Sequence, residues 1–119
     1  MPKTNNIFDL LDAGIQAESL RQKAIANNIA NLETPGYRRL DVKFEQLLAK
    51  ALNSAGKVDL NEIKPELHQP MQSPVKSNGN DVSLEAEVGE MVKNNLRHET
   101  YIRLLVSKLK QIELAIDVS

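Results

Sequence analysis

The chain has 119 residues, a formal net charge of −1, 41% hydrophobic residues and no cysteine. That length suits one small domain, the near-neutral balance offers few counterion-releasing contacts to phosphates, and the missing thiols exclude disulfides and thiolate zinc sites. With two Phe, two Tyr and no Trp, a core must be built from Leu, Ile, Val, Met and Ala, which leaves a lone monomer little margin.

The N-terminal stretch MPKTNNIFDLLDAG contains no apolar run of signal-peptide length, and no window approaches a membrane span. The expectation is a chain that, if it leaves the cytoplasm, does so without a cleaved signal. From Asn5 or Asn6, either a plausible N-cap, to about Glu33 the pattern is helical. Ile7, Leu10, Leu11, Ala17, Leu20 and Ala24 recur at threes and fours, and Ile25, Ile29 and Leu32 continue a stripe displaced around the cylinder. Asp9 and Asp12 lie near the positive end of the helix dipole. Thr34 precedes a proline and is pushed out of the α region, so the helix stops at or before Glu33. Pro35 and Gly36 then fit the two central positions of a type II turn.

Three asparagines stand immediately before that stop: Asn27, Asn28 and Asn31. Each is roughly half a kcal/mol worse than Ala in a helix, so their amides need a use. They either fray the helix end and help the turn form, or hydrogen-bond to neighbouring chains in a packed array, where amides would fix register. Asp41 to Leu52, with Val42, Phe44, Leu47, Leu48, Ala51 and Leu52, reads as a short amphipathic helix or as the start of a strand. Residues 53 to 80 hold Pro65, Pro70, Pro74, Gly56 and Gly79 without sustained periodicity, the character of a linker or of a segment that orders on a partner.

The last third is helical, capped by Ser83 or Asp81, with Glu85, Glu87 and Glu90 in the first turns and Arg103, Lys108 and Lys110 towards the other end. Leu84, Val88, Met91, Asn95, His98, Ile102, Leu105, Leu109, Ile112 and Ile116 alternate at fours and threes. That is an a/d heptad with two polar interruptions, on a rod about 50 Å long. Its stripe must find another helix, and the N-terminal helix is available.

Chemistry is sparse. His68 and His98 are the two histidines, far apart in sequence; His98 in a heptad position reads as a hydrogen-bonded seam residue, and two lone histidines make no metal site. The phosphate-binding and nucleophile-elbow glycine motifs are missing. The expectation is no enzyme, no cofactor or metal, no nucleic acid and no small-molecule substrate. Tyr37, Arg38 and Arg39 after the turn read either as a phosphate or nucleic-acid contact or, with more weight, as a charged loop beside a packed aromatic. Gly14 and Gly89 each cost about 1 kcal/mol in a helix, and mark either a surface accident or a point of close helix approach.

The stretch ANNIANLETPGYRR resembles the N-terminal signature of bacterial flagellar axial proteins, the rod, hook and hook-associated families. The short length, the TPGY turn, the following VKFEQLL and the segment NGNDVSLEAEVGEMVKNNLRHETYIRLL are similar to the proximal rod proteins within that group. The match covers roughly residues 7 to 48 and 78 to 116.

The resemblance implies a structural subunit: an all-α-dominated fold whose long terminal helices pair as a coiled coil, joined by a mostly irregular middle. Its parts are an N-terminal helix over 1–34, a turn, short amphipathic segment and linker over 35–80, and a C-terminal helix over 81–119. Signature and inter-subunit packing positions are Asn27, Asn28, Ile29, Ala30, Asn31, Thr34, Pro35, Gly36 and Tyr37, and the C-terminal match centres on Asn94, Asn95, Leu96, Leu104 and Leu105. Phe44 and Leu48 match the spacing of a hydrophobic export-gate motif. The implied partners are other copies of the chain, other flagellar rod proteins, the MS-ring and export-gate adaptor at the rod base, and the flagellar type III export apparatus. The implied location is the basal-body rod in the periplasmic space. A competing reading is a stand-alone helical hairpin acting as an adaptor or a type III secretion chaperone.

Overall fold

The computed structural model describes residues 7–54 and 63–118. The predicted N-cap at Asn5 or Asn6 lies outside them. Helix α1 spans Ile7–Ala30, strand β1 Asp41–Lys43, helix α2 Glu45–Asn53, strand β2 Glu66–His68 and helix α3 Leu84–Val118. The two long helices pack against each other and dominate the architecture, which measures 65 × 30 × 15 Å along its principal axes.

Local chemistry explains the boundaries. α1 closes at Ala30, with residues 31–33 between it and Thr34, and a turn carries the chain away, the Tyr37 N–H donating to Thr34 O at 3.3 Å with Gly36 at φ 74°. That is the expected type II turn, in which only a residue tolerant of positive φ sits third. At the start of α3 the Ser83 hydroxyl accepts the Ala86 N–H at 3.4 Å and the Ser83 carbonyl accepts the Glu87 N–H at 2.9 Å. Ser83 is therefore the cap, and Asp81 is spent elsewhere.

The ambiguous segment after Asp41 takes both conformations. Asp41–Lys43 pairs antiparallel with Glu66–His68, Val42 opposite Leu67, and the chain turns into α2 at Phe44. The middle, expected to be mostly irregular, thus contributes a short two-stranded sheet and a helix. Val42 and Phe44 are buried with Ala13, Ala17, Ala24, Ala51 and Ile63, and Leu10, Leu20, Leu40, Leu47 and Leu48 pack around them. Phe44 is the largest fully buried side chain among the described residues, and its removal from water is worth about 1.5–3 kcal/mol. The alanines of α1 let this layer approach closely.

Most of the apolar heptad of α3 is turned away from α1. Leu84, Val88, Met91, Ile102, Leu109, Ile112 and Ile116 are all exposed, Ile102 at 38%, Leu109 at 52% and Ile116 at 67%, while His98 and Leu105 are half-buried and Asn95 is exposed. The buried line is another one. Glu87 and Asn94 are buried and Tyr101 is half-buried; they recur every seven residues, opposite Asn28, the Glu18–Arg21 turn and Gly14, which descend α1 in antiparallel sense. At 100° per residue this line lies roughly 80° around α3 from the centre of the apolar stripe. The expectation that the stripe is covered by the N-terminal helix of the same chain is corrected: most of the stripe stays exposed, and the α3 line turned to α1 carries the buried, hydrogen-bonded Glu87 and Asn94.

Candidate functional site: a polar clasp and an uncovered helix face

Two polar clusters tie α1 to α3. The first forms where α1 ends. Asn28 is completely buried, and its amide makes four bonds within the chain. Nδ2 donates to Leu40 O at 2.9 Å and to Glu87 Oε2 at 3.1 Å, while Oδ1 accepts the Leu40 N–H at 2.8 Å and the Tyr37 hydroxyl at 2.8 Å. That exhausts what a carboxamide can do. With four bonds made inside the chain, the Asn28 amide fixes the exit path of its own helix.

Its neighbours complete the clasp. Asn27 Nδ2 donates to the Tyr37 hydroxyl at 2.8 Å; Asn31 Nδ2 donates to Asn27 O at 2.8 Å, and Asn31 Oδ1 accepts the Thr34 hydroxyl at 3.0 Å. From the far side of the fold, buried Asn80 donates to Asn31 O and Thr34 O, both at 2.8 Å, and accepts the Val82 N–H at 2.7 Å. Asp81 Oδ1 accepts the Arg39 N–H at 2.6 Å, and its Oδ2 the Arg38 Nε–H at 3.1 Å. Glu87 Oε1 accepts the Arg39 Nε–H at 2.8 Å. Arg38 and Arg39 are thus consumed by buried carboxylates of α3 and its approach, the structural reading of the loop. Burial works against the Arg39 charge, but the hydrogen bond and charge of Glu87 outweigh it and hold the guanidinium pKa above its ordinary value. Burial also raises the Tyr37 hydroxyl, the Asn27 bond opposing and the Glu87 and Asp81 charges adding to the rise.

The second cluster lies halfway along the helices. The Glu18 carboxylate, fully buried, pairs with Arg21 and accepts from Arg97 Nε at 2.9 Å and Asn94 Nδ2 at 3.2 Å; the same amide donates to Glu18 O at 2.8 Å. Arg21 also grips both carboxylate oxygens of Glu45, the first residue of α2. Burial opposes both charges of that pair; their mutual hydrogen bond prevails, so the Arg21 pKa is raised and the Glu45 pKa lowered. Below it, Gly14 admits the Tyr101 ring: a Cβ there would stand 2.4 Å from Tyr101 Cζ. Gly14 is the close approach, whereas a Cβ on Gly89 would meet nothing within 4 Å. Every buried side-chain nitrogen and oxygen among the described residues has a partner. Removing one member of such a network leaves a buried charge or dipole unpaired, and so would any slip in register.

The remaining predicted positions separate. Ile29 is half-buried and borders a groove of about 470 Å³ between the long helices, with Ile25, Ala26, Met91, Asn94 and Asn95. Pro35 and Gly36 are exposed at the turn, Phe44 is buried, and Leu48, one turn along, is half-buried in the same layer. Sequence reasoning missed Glu18, Arg21, Asn80, Arg97 and Tyr101 as members of the clusters. For Arg21 and Tyr101 the signal was the seven-residue spacing of Gly14, Arg21 and Asn28 against Glu87, Asn94 and Tyr101, masked because a polar heptad reads as a solvated face; Glu18, Asn80 and Arg97 carried no such signal. Among the described residues no group of three His, Cys, Asp or Glu side chains could hold a metal ion, and no helix is long and apolar enough to cross a membrane.

The family model described as flagella basal body rod protein matches residues 13–38, from the glycine cluster through the clasp. The chain is 31% identical over 129 residues to the flagellar basal body rod protein FlgB of Salmonella typhimurium, covering 87% of this chain and 93% of that one. It is 29% identical over 116 residues to FlgB of Borreliella burgdorferi, covering 82% and 86%, and 27% identical over 112 residues to FlgB of Bacillus subtilis, covering 87% of each.

Proposed function

The chain belongs to the FlgB family of flagellar basal body rod proteins, and from that premise we propose that it is a structural subunit of the proximal rod, joining the MS ring and export gate to the distal rod and transmitting torque. One observation carries the assembly part of this reading. α3 presents Leu84, Val88, Met91, Ile102, Leu109, Ile112 and Ile116 to solvent along most of its length, an apolar stripe far longer than a monomer leaves uncovered without use. Helices of other copies and of other rod proteins cover that stripe, and the groove bordered by Ile25, Ile29 and Met91 receives one of them as a third member of the α1–α3 pair. The polar clusters hold each hairpin rigid, so that load passes from subunit to subunit. The chain reaches the periplasmic rod through the flagellar type III apparatus, Phe44 and Leu48 serving as the gate motif when the chain is unfolded and Phe44 uncovered.

The complete pairing of buried side-chain polar atoms among the described residues favours a second reading, a hairpin adaptor that works alone. Deleting the gene in its source organism and imaging basal bodies separates the two. Rings without rod or hook, restored by complementation, support the rod subunit; intact rods without the gene refute it.

A further inference from the structure

Asn78-Gly79 is the one Asn-Gly step in the chain, and neither the clasp's packing role nor the rod reading uses its chemistry. Glycine after asparagine leaves the backbone nitrogen sterically open, so that nitrogen can attack the asparagine side-chain carbonyl. Asn78 is exposed, and water reaches it. Three bonds hold the step closed. The Gly79 N–H, on the attacking atom, donates to Lys76 O at 2.9 Å; Asn78 O accepts the Gly36 N–H at 2.8 Å; and Asn78 Oδ1 accepts the Asn80 N–H at 3.1 Å. Gly79 sits at φ 86°, and a Cβ on it would lie 3.3 Å from Gly36 Cα, so the two turns interlock.

We propose that Asn78 is a spontaneous modification site of this protein, and that the closed clasp sets its rate. The Gly79 nitrogen loses its proton to solvent base and bonds to Asn78 Cγ; the Cγ–Nδ2 bond breaks and ammonia leaves, giving a five-membered succinimide. Water then opens the ring at either carbonyl, to aspartate or to isoaspartate, so the net reaction is amide plus water to carboxylate plus ammonium, with no oxidant or reductant. In the closed clasp the Gly79 N–H is held by Lys76, and reaction waits for a local opening. The isoaspartate product carries one more backbone atom between residues 78 and 79, and cannot keep both the Gly36 N–H bond to Asn78 O and the bond that the Lys76 N–H donates to Asn80 O at 2.8 Å. A chain that spends time unfolded therefore accumulates subunits whose clasp no longer closes.

The test uses the full chain at pH 7.4 and 37 °C, in buffer and in 6 M guanidinium, with conversion at each asparagine followed by peptide mass spectrometry and helix content by circular dichroism. Asn78 is expected to convert ahead of Asn53 and every other asparagine in guanidinium, and at least about tenfold more slowly in buffer, a factor set by a modest opening equilibrium. Asn80→Ala, which removes the bonds to Asn31 O and Thr34 O but leaves the Asn78-Gly79 step intact, should raise the rate in buffer and leave the guanidinium rate unchanged. Another asparagine reacting first in guanidinium overturns the site assignment. Equal rates for wild type in the two solvents, whether the chain in buffer is helical or not, overturn the gating; so does a helical Asn80→Ala chain no faster than wild type.

Discussion

Replacing Asn28 by Leu tests whether the clasp holds the fold together. Leu is close in size but can neither donate nor accept, so four bonds vanish at once: two with the Leu40 peptide, one from Tyr37 and one to Glu87. The three between neutral groups are worth about 1 kcal/mol each and the one to the carboxylate about 1.5–3 kcal/mol. Leu40 and Tyr37 are half-exposed, and water re-satisfies part of their loss. Glu87 keeps Arg39 but loses a donor in a site with no exposure. The net is a loss of about 3 kcal/mol, a large share of the 5–15 kcal/mol typical of a domain. Urea unfolding followed at 222 nm should show the midpoint fall by about 1.5 M, for a slope of about 2 kcal/mol/M. Asn28→Asp should be at least as damaging at neutral pH, since it sets a second carboxylate against Glu87, and should recover as the pH falls. An Asn28→Leu midpoint within about 0.3 M of wild type would refute the assignment of Asn28 as an intrachain staple and return its amide to the interfaces between subunits.

The other predictions separate packing, protonation and assembly. Gly14→Ala should destabilise despite the roughly 1 kcal/mol gain in helix propensity, because its Cβ collides with the Tyr101 ring; Gly89→Ala, with open space, should stabilise by up to that amount, and thermal melts of the pair decide. Both tyrosines have pKa values raised in the folded chain, Tyr37 by burial and Tyr101 by burial with the Glu18 and Glu45 charges. Their contribution to stability is complete below the unfolded value of about 10 and is lost as pH rises through the folded values. Absorbance titration near 295 nm should accordingly find neither hydroxyl at its ordinary pKa until the chain unfolds. The Glu45 pKa is lowered, so its share is present above the ordinary carboxylate value and lost as pH falls through the folded one. That side chain is 60% exposed, which keeps the share small, and Glu45→Gln should flatten only the acid limb of the stability curve. Ile102→Asp and Leu109→Asp, on the exposed stripe, should leave urea midpoints unchanged yet abolish motility; normal swimming would argue against that stripe as an interface.

The helices, the TPGY turn, a cap at Ser83 or Asp81 and the likeness to axial proteins were legible in the residues, because periodicity, proline sterics and capping act within a few residues of the chain. The same residues showed that three asparagines and an apolar heptad demanded partners. Which partners they took was decided only in three dimensions. A carboxamide serves an intrachain peptide or a neighbouring subunit equally well, and only the return of Leu40 and Glu87 to Asn28 selects the first. A helix with an apolar stripe and a polar line roughly 80° apart can turn either towards its companion. Here Gly14 opens a slot for Tyr101, and Glu18 finds Arg21, Arg97 and Asn94. Those long-range pairings turn the polar line inward and leave the leucines and isoleucines of α3 outside.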